Sequence, residues 1–173
     1  MGLDGLNTDL AGEELCFGHG LPVNIRILLQ QATRAYEDTS LAESLLIQAR
    51  NLAPDALEVG IALYKFYFYK YRLADAEAVA LQTLTRAAEL GGFAPDWTEL
   101  VHDSASWSEP LGPERAYLFT LKALAFINLR LDRVHVSRAI LNKLDELDPT
   151  DQVGASVIDD LAMRMEEQDE FPG

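Results

Sequence analysis

Apolar residues recur every three or four positions along this chain, and proline, glycine and capping residues interrupt the recurrence at intervals. Val23, Ile27 and Leu28, then Ala32 and Ala35, set a helical period over 21–36. Thr39 and Ser40 follow, with Glu43 three residues after Ser40. That is a capping-box pattern: the serine hydroxyl accepts from a free backbone N–H and the glutamate reaches back. The spacing predicts a helix over 41–52 that stops before Pro54. Asp55 with Glu58 opens the next, through Leu57, Ile61, Tyr64, Phe68 and Tyr71. Its successor covers 74–90 and ends at Gly91 and Gly92, which release the last carbonyls. Asp96 and Glu99 predict a short helix at 97–102, and the stretch 103–112 reads as a loop. Pro113 suits the first turn of a helix running to about Arg130, where its missing N–H costs nothing. Asp132 is a candidate cap for 134–147, and Ser156 with Asp159 for 157–167. No period-two run is bounded by hairpin turns, so the pattern is all-α, with about seven main helices. An acidic arm over 1–20, with a short helix at 9–15, precedes them, and a flexible tail at 168–173 follows.

Composition narrows the classes. The chain has 173 residues, long enough for a sizeable core, and 49% of them are hydrophobic, which excludes a disordered polar tail. Its 28 acidic residues against 14 basic give a net charge of −14. Phosphate backbones and anionic membranes repel such a surface, so neither nucleic acid nor a membrane is an expected partner. The same charge suits a basic partner patch or a merely solvated surface, and composition leaves both open. One cysteine, Cys16, allows no internal disulfide framework and fits a reducing cytoplasm. The first residues have neither a basic n-region nor a long apolar run, so no signal peptide or membrane span is expected there.

A repeat underlies the helices. Ala42 and Ala76 stand 34 residues apart, each early in the second member of a helical pair. Ala42, Leu46, Ala49 and Pro54 follow a small–large–small–proline order; Ser137, Leu141, Leu144 and Pro149 repeat it, with leucine for the second small residue. In the middle unit Ala80 and Thr83 follow Ala76, and glycine replaces the proline. Leu63 and Tyr67 mark the first helix of that unit, and Leu124–Ala125 that of the last. This pattern resembles the tetratricopeptide-repeat family, whose unit is a 34-residue helical pair. Gly60 departs from it, standing where that family commonly has tryptophan, and an insert at about 91–113 breaks the period. The resemblance implies antiparallel helical pairs stacked as a short tetratricopeptide-like solenoid over 21–167, closed by a C-terminal capping helix. Small residues let paired helices approach, and one pair cannot bury its apolar face alone.

In that family the first helices line a concave groove. Carried over, the groove positions are Lys65, Phe68 and Tyr69 from the middle unit and Lys122, Phe126 and Arg130 from the last. Aromatic rings beside flexible cations suit a partner peptide or helix. The aromatic run YKFYFYKY at 64–71 also fits a helix buried on several sides, and both readings stand. Trp97 and Trp107 sit in the insert, where a tryptophan anchors either an interface or its own loop.

Chemistry has few candidates. Cys16 with His19 begins a Cys-x-x-His, but no second ligand pair follows at zinc-like spacing. The glycines precede no phosphate-loop ending, and the carboxylates fall at caps and on helix surfaces. The expected function is therefore a non-catalytic, cofactor-free protein-binding module, an adaptor or assembly chaperone. An enzyme using Cys16 or the surface carboxylates is the competing class, and self-association through a repeat face a third. As a whole string the chain also resembles the nitrogenase-associated factor T family of diazotrophic bacteria. That resemblance implies an accessory protein binding the nitrogenase molybdenum–iron protein during cofactor insertion or repair.

Overall fold

Pro22, with φ −51°, leads into the first helix of the computed structural model, which describes residues 20–170. The described residues form seven α-helices and no strand: α1 Val23–Arg34, α2 Thr39–Leu52, α3 Leu57–Tyr69, α4 Leu73–Gly91, α5 Pro113–Arg130, α6 Val134–Leu147 and α7 Ser156–Glu170. Two 3-10 turns, Trp97–Glu99 and His102–Ser104, lie between α4 and α5. The expected arm, apart from Gly20, and the end of the expected tail lie outside the described residues; 168–170 belong to α7. No helix among the described residues is long and apolar enough to cross a membrane.

The chain divides into two compact units, Met1–Arg86 and Ala87–Gly173. The expected repeat domain spans both. In the first, α1 packs on α2 and α2 on α3. Ile25, Leu29 and Ala32 of α1 and Ala42, Leu46 and Ala49 of α2 are buried at three- and four-residue spacing. In the second, α5 packs on α6, α6 on α7, and α7 also reaches α5. Ser137 of α6 is fully buried and donates its hydroxyl to the Ala125 carbonyl of α5 at 2.8 Å, so a small side chain sets how closely these helices approach.

The turns repeat. Ala35, Lys70 and Leu131 close α1, α3 and α5 with nearly the same geometry: φ/ψ −89/13, −85/8 and −85/9°. After α3 and α5 the match extends further. Arg72 N–H donates to the Tyr67 carbonyl and Arg133 N–H to the Asn128 carbonyl, both at 2.9 Å. Tyr71 and Asp132, the residues just before them, are left-handed at φ 59 and 61°. This is the Schellman closure, here without glycine. Ala53 and Asp148, which close α2 and α6, also agree, at φ/ψ −137/69 and −127/65°. Two helix–turn–helix hairpins 61 residues apart therefore share one backbone design.

The helix spans agree with the apolar spacing, but several caps differ. α2 is capped by Asp38, whose carboxylate accepts from Leu41 N–H at 3.1 Å, and not by Ser40 with Glu43. Asp55 pairs with Arg86 instead of capping α3. No side chain caps α6; Asp132 lies in its left-handed turn. Ser156 is already helical, and its N–H and hydroxyl both donate back to Asp151. Asp96 does cap, accepting from Thr98 N–H at 2.9 Å, but over one 3-10 turn only, since the chain at Leu100 is extended. Phe93 N–H bonds the Ala88 carbonyl across Gly92 at φ +73°, which ends α4 where the paired glycines predict.

Candidate protein-interaction surfaces

Lys65, Phe68 and Tyr69 share the outer part of α3, all half-buried, and Phe68 meets Tyr69 edge-on at 5.7 Å. The rest of the aromatic run is interior: Tyr64 and Phe66 are at most 1% exposed and Tyr67 6%. The buried-helix reading therefore holds for Tyr64, Phe66 and Tyr67, whereas Lys65, Phe68 and Tyr69 stay partly accessible.

The end of α3 is held by a polar network that local sequence gives no hint of. Tyr67 donates its hydroxyl to Glu43 of α2 at 2.8 Å, and Arg72 binds the second Glu43 oxygen at 2.7 Å and Asp75 at 2.8 Å. The Arg72 guanidinium also lies 4.5 Å from the Tyr67 ring centre. Hydrogen bonding from Arg72, then from Tyr67, lowers the Glu43 pKa despite partial burial. Burial, then the bond to Glu43, pushes Tyr67 up to about 12. Beside them Lys70 donates to the Tyr36 carbonyl at 2.8 Å and stands 3.9 Å over the Tyr36 ring. Lys70 and Arg72 thus tie α3 to the first hairpin.

A small polar cleft lies at the other end of α3, lined by Arg50, Gly60, Gln82, Thr83 and Arg86 among others. Arg50 bonds Gln82, and Arg86 pairs with Asp55 at 2.9 Å. A Cβ at Gly60 would fall on the Thr83 hydroxyl, itself fixed to the Val79 carbonyl at 2.8 Å. Any side chain at this position, a tryptophan included, would have to displace Thr83.

In the second unit, Lys122, Phe126 and Arg130 follow one face of α5. They are not equivalent. Lys122 is half-buried and donates to the Val153 carbonyl at 2.7 Å, while Arg115 donates to the Gln152 carbonyl at 2.9 Å. Both cations grip the connection into α7. Arg130 is exposed, with its guanidinium 5.2 Å from the Phe126 ring centre. It lies at a cleft of about 190 Å³ whose other walls are Leu129, Asp132, Leu161 and Met165. Leu161 and Met165 are half-buried, one turn apart on α7. Sequence reading finds the α5 side of this cleft and misses the α7 side, although the four-residue spacing of Leu161 and Met165 is a signal for it.

The insert is an ordered structure of its own. Trp107 is 3% exposed and meets Phe93 at 5.0 Å; Phe93 meets Tyr117 of α5, also at 5.0 Å. Trp107 donates its ring N–H to the Val101 carbonyl at 3.3 Å and Tyr117 its hydroxyl to the Pro95 carbonyl at 2.8 Å. Burial holds the Tyr117 pKa far above its ordinary value. Lys143 of α6 adds a bond to the Leu100 carbonyl at 2.6 Å. Of the two roles open to it, Trp107 occupies the loop-anchoring one. Trp97 is half-buried in the first 3-10 turn.

Among the described residues no group of three or more His, Cys, Asp or Glu side chains converges as a metal site. Cys16 and His19 lie outside the described residues.

The chain is 32% identical over 159 residues to the "uncharacterized 19.8 kDa protein in nifW 5′ region" of Azotobacter chroococcum mcd 1, a match covering 88% of this chain and 86% of that protein. No family model and no solved structure matches the chain.

Proposed function

This chain belongs to the family of that nifW 5′-region protein, and we propose that it is an accessory protein of nitrogen fixation that holds a protein partner without catalysing a reaction. The observation that carries the reading is the location stated in the relative's name, in a nitrogen-fixation gene region, together with similarity along most of both chains. The scaffold proposed is tetratricopeptide-like. The shared turn geometry of α1, α3 and α5 supports it, as does burial at the repeat positions Ala42, Leu46, Ala49, Ala76, Ala80, Thr83, Ser137, Leu141 and Leu144. The partner proposed is the nitrogenase molybdenum–iron protein, in the manner of nitrogenase-associated factor T, with this chain cytoplasmic and free of any cofactor of its own. The half-buried Lys65, Phe68 and Tyr69 of α3 and Lys122 and Phe126 of α5, with the exposed Arg130, supply contact area and orientation of the kind that interfaces favour.

The test is capture of partners by the tagged full chain from its native host, grown under nitrogen-fixing conditions without oxygen. Enrichment of the molybdenum–iron protein, reduced at least about tenfold by Phe68→Ala or Arg130→Glu with helicity unchanged, is the expected result. Absence of nitrogenase subunits from the captured material would overturn the partner.

A further inference from the structure

We propose that the cleft between the end of α5 and α7 is a socket for one apolar side chain of a partner protein, and that Arg130 takes a carboxylate on the same partner segment. The proposal rests on the reading that this chain holds a protein partner; it adds where, and by what chemistry.

Three observations carry it. The first is volume. The cleft measures about 190 Å³ and is walled by Leu129, Leu161 and Met165. An apolar cavity of about 150 Å³ takes a benzene ring, so one Leu, Met or Phe side chain fits here. Met165 is unbranched and adapts to the shape of an incoming group. The second is charge. The chain carries twice as many acidic as basic residues, and Arg72, Arg86 and Arg138 all pair with carboxylates of their own unit. Arg130 has no carboxylate partner among the described residues, and it is exposed. The third is preorganisation. The Phe126 ring, 5.2 Å away, supports the guanidinium, so less side-chain freedom is lost when a carboxylate binds. Asp132 lines the same cleft from a left-handed turn. Its charge repels an acidic side chain from the socket itself, so the partner's carboxylate has to meet Arg130 at the rim. An apolar residue and a carboxylate one turn apart on a helix satisfy both demands.

The experiment uses the full chain with methyl-labelled methionine, followed by NMR. Met165 lines the cleft, and Met163, exposed on the same helix, does not. The probes are alanine-based helical peptides carrying Leu one turn before Glu, Leu one turn before Lys, or Ala one turn before Glu. The Leu–Glu peptide is expected to shift the Met165 methyl saturably and leave Met163 unmoved. The other two should bind at least about tenfold more weakly. Arg130→Glu should transfer the preference from the Glu to the Lys peptide, and Leu161→Trp, which fills the cleft, should abolish the response with helicity retained. The proposal is overturned if no peptide shifts Met165 saturably, if Met163 responds equally, or if Arg130→Glu leaves the Glu-over-Lys preference intact. The nitrogenase reading is judged separately. Capture of the molybdenum–iron protein by the Leu161→Trp chain would leave that function standing and overturn the socket. Peptide binding as stated, without nitrogenase capture by the unmodified chain, would do the reverse.

Discussion

Glu43 shows how a residue's role is decided by a partner far along the chain. From Ser40 and Glu43 alone a capping box is the reasonable reading, because the three-residue spacing is local and complete. The structure gives Glu43 two stronger donors, Tyr67 and Arg72, 24 and 29 residues away, and leaves the cap to Asp38. The Glu43 and Arg72 side chains are 24% and 38% exposed, so the ion pair is partly screened. The Tyr67 bond is better protected. A double-mutant cycle of Glu43→Gln and Tyr67→Phe, read by urea unfolding, should return a coupling of about 1 kcal/mol. The pH dependence has a definite sign on each side. Glu43 titrates below its ordinary value, so its contribution is full above the usual carboxylate pKa and fades as pH falls through the lowered one. Tyr67 titrates at about 12, so its contribution is full below pH 10 and is lost as pH rises from there toward 12. Alkaline difference spectra should show Tyr36, Tyr67 and Tyr117 ionising late, and together with unfolding. Gly60 makes a second test. Gly60→Ala should destabilise by about 1–3 kcal/mol, because its Cβ meets the Thr83 hydroxyl, and Thr83→Ala in the same chain should recover most of that loss.

Among the elements, α5 and α6 were the most legible. Proline at the first position, a long apolar period and a proline after the last turn bound them at Pro113–Arg130 and Val134–Leu147, as the spacing predicts. The turns between elements were less so. Tyr71 gives no sign of a left-handed backbone and Asp132 only a weak one, since glycine usually takes that place. Tyr71→Gly should therefore raise stability by somewhat under 1 kcal/mol in thermal unfolding, and Asp132→Gly by less, because aspartate tolerates this region better than tyrosine. The insert was legible as an interruption and illegible as a structure. Its order depends on Phe93 within it, on Tyr117 just beyond it and on Lys143 from α6; contacts of this kind leave no periodic trace. Trp107→Ala should cost about 3–5 kcal/mol in the second unit and speed amide exchange across 93–112, measured by mass spectrometry. The candidate site was half legible: the face of α5 came from the repeat pattern, whereas α7 has no counterpart in that pattern and its Leu161 and Met165 went unread.

For the whole molecule, a charge of −14 and a sequence pI of about 4.5 set the behaviour in solution. Light scattering across a pH series should find attraction between copies strongest near pH 4.5 and repulsion at neutral pH, falling with added salt. The two units also differ in their chromophores. Both tryptophans, Trp97 and Trp107, lie beyond Arg86, whereas five of the six tyrosines, at 36, 64, 67, 69 and 71, lie before it. Indole emission therefore reports on the insert and its surroundings alone, and phenolate absorbance reports mainly on the first three helices. Each half of this protein can be watched through its own optical window, with no label attached.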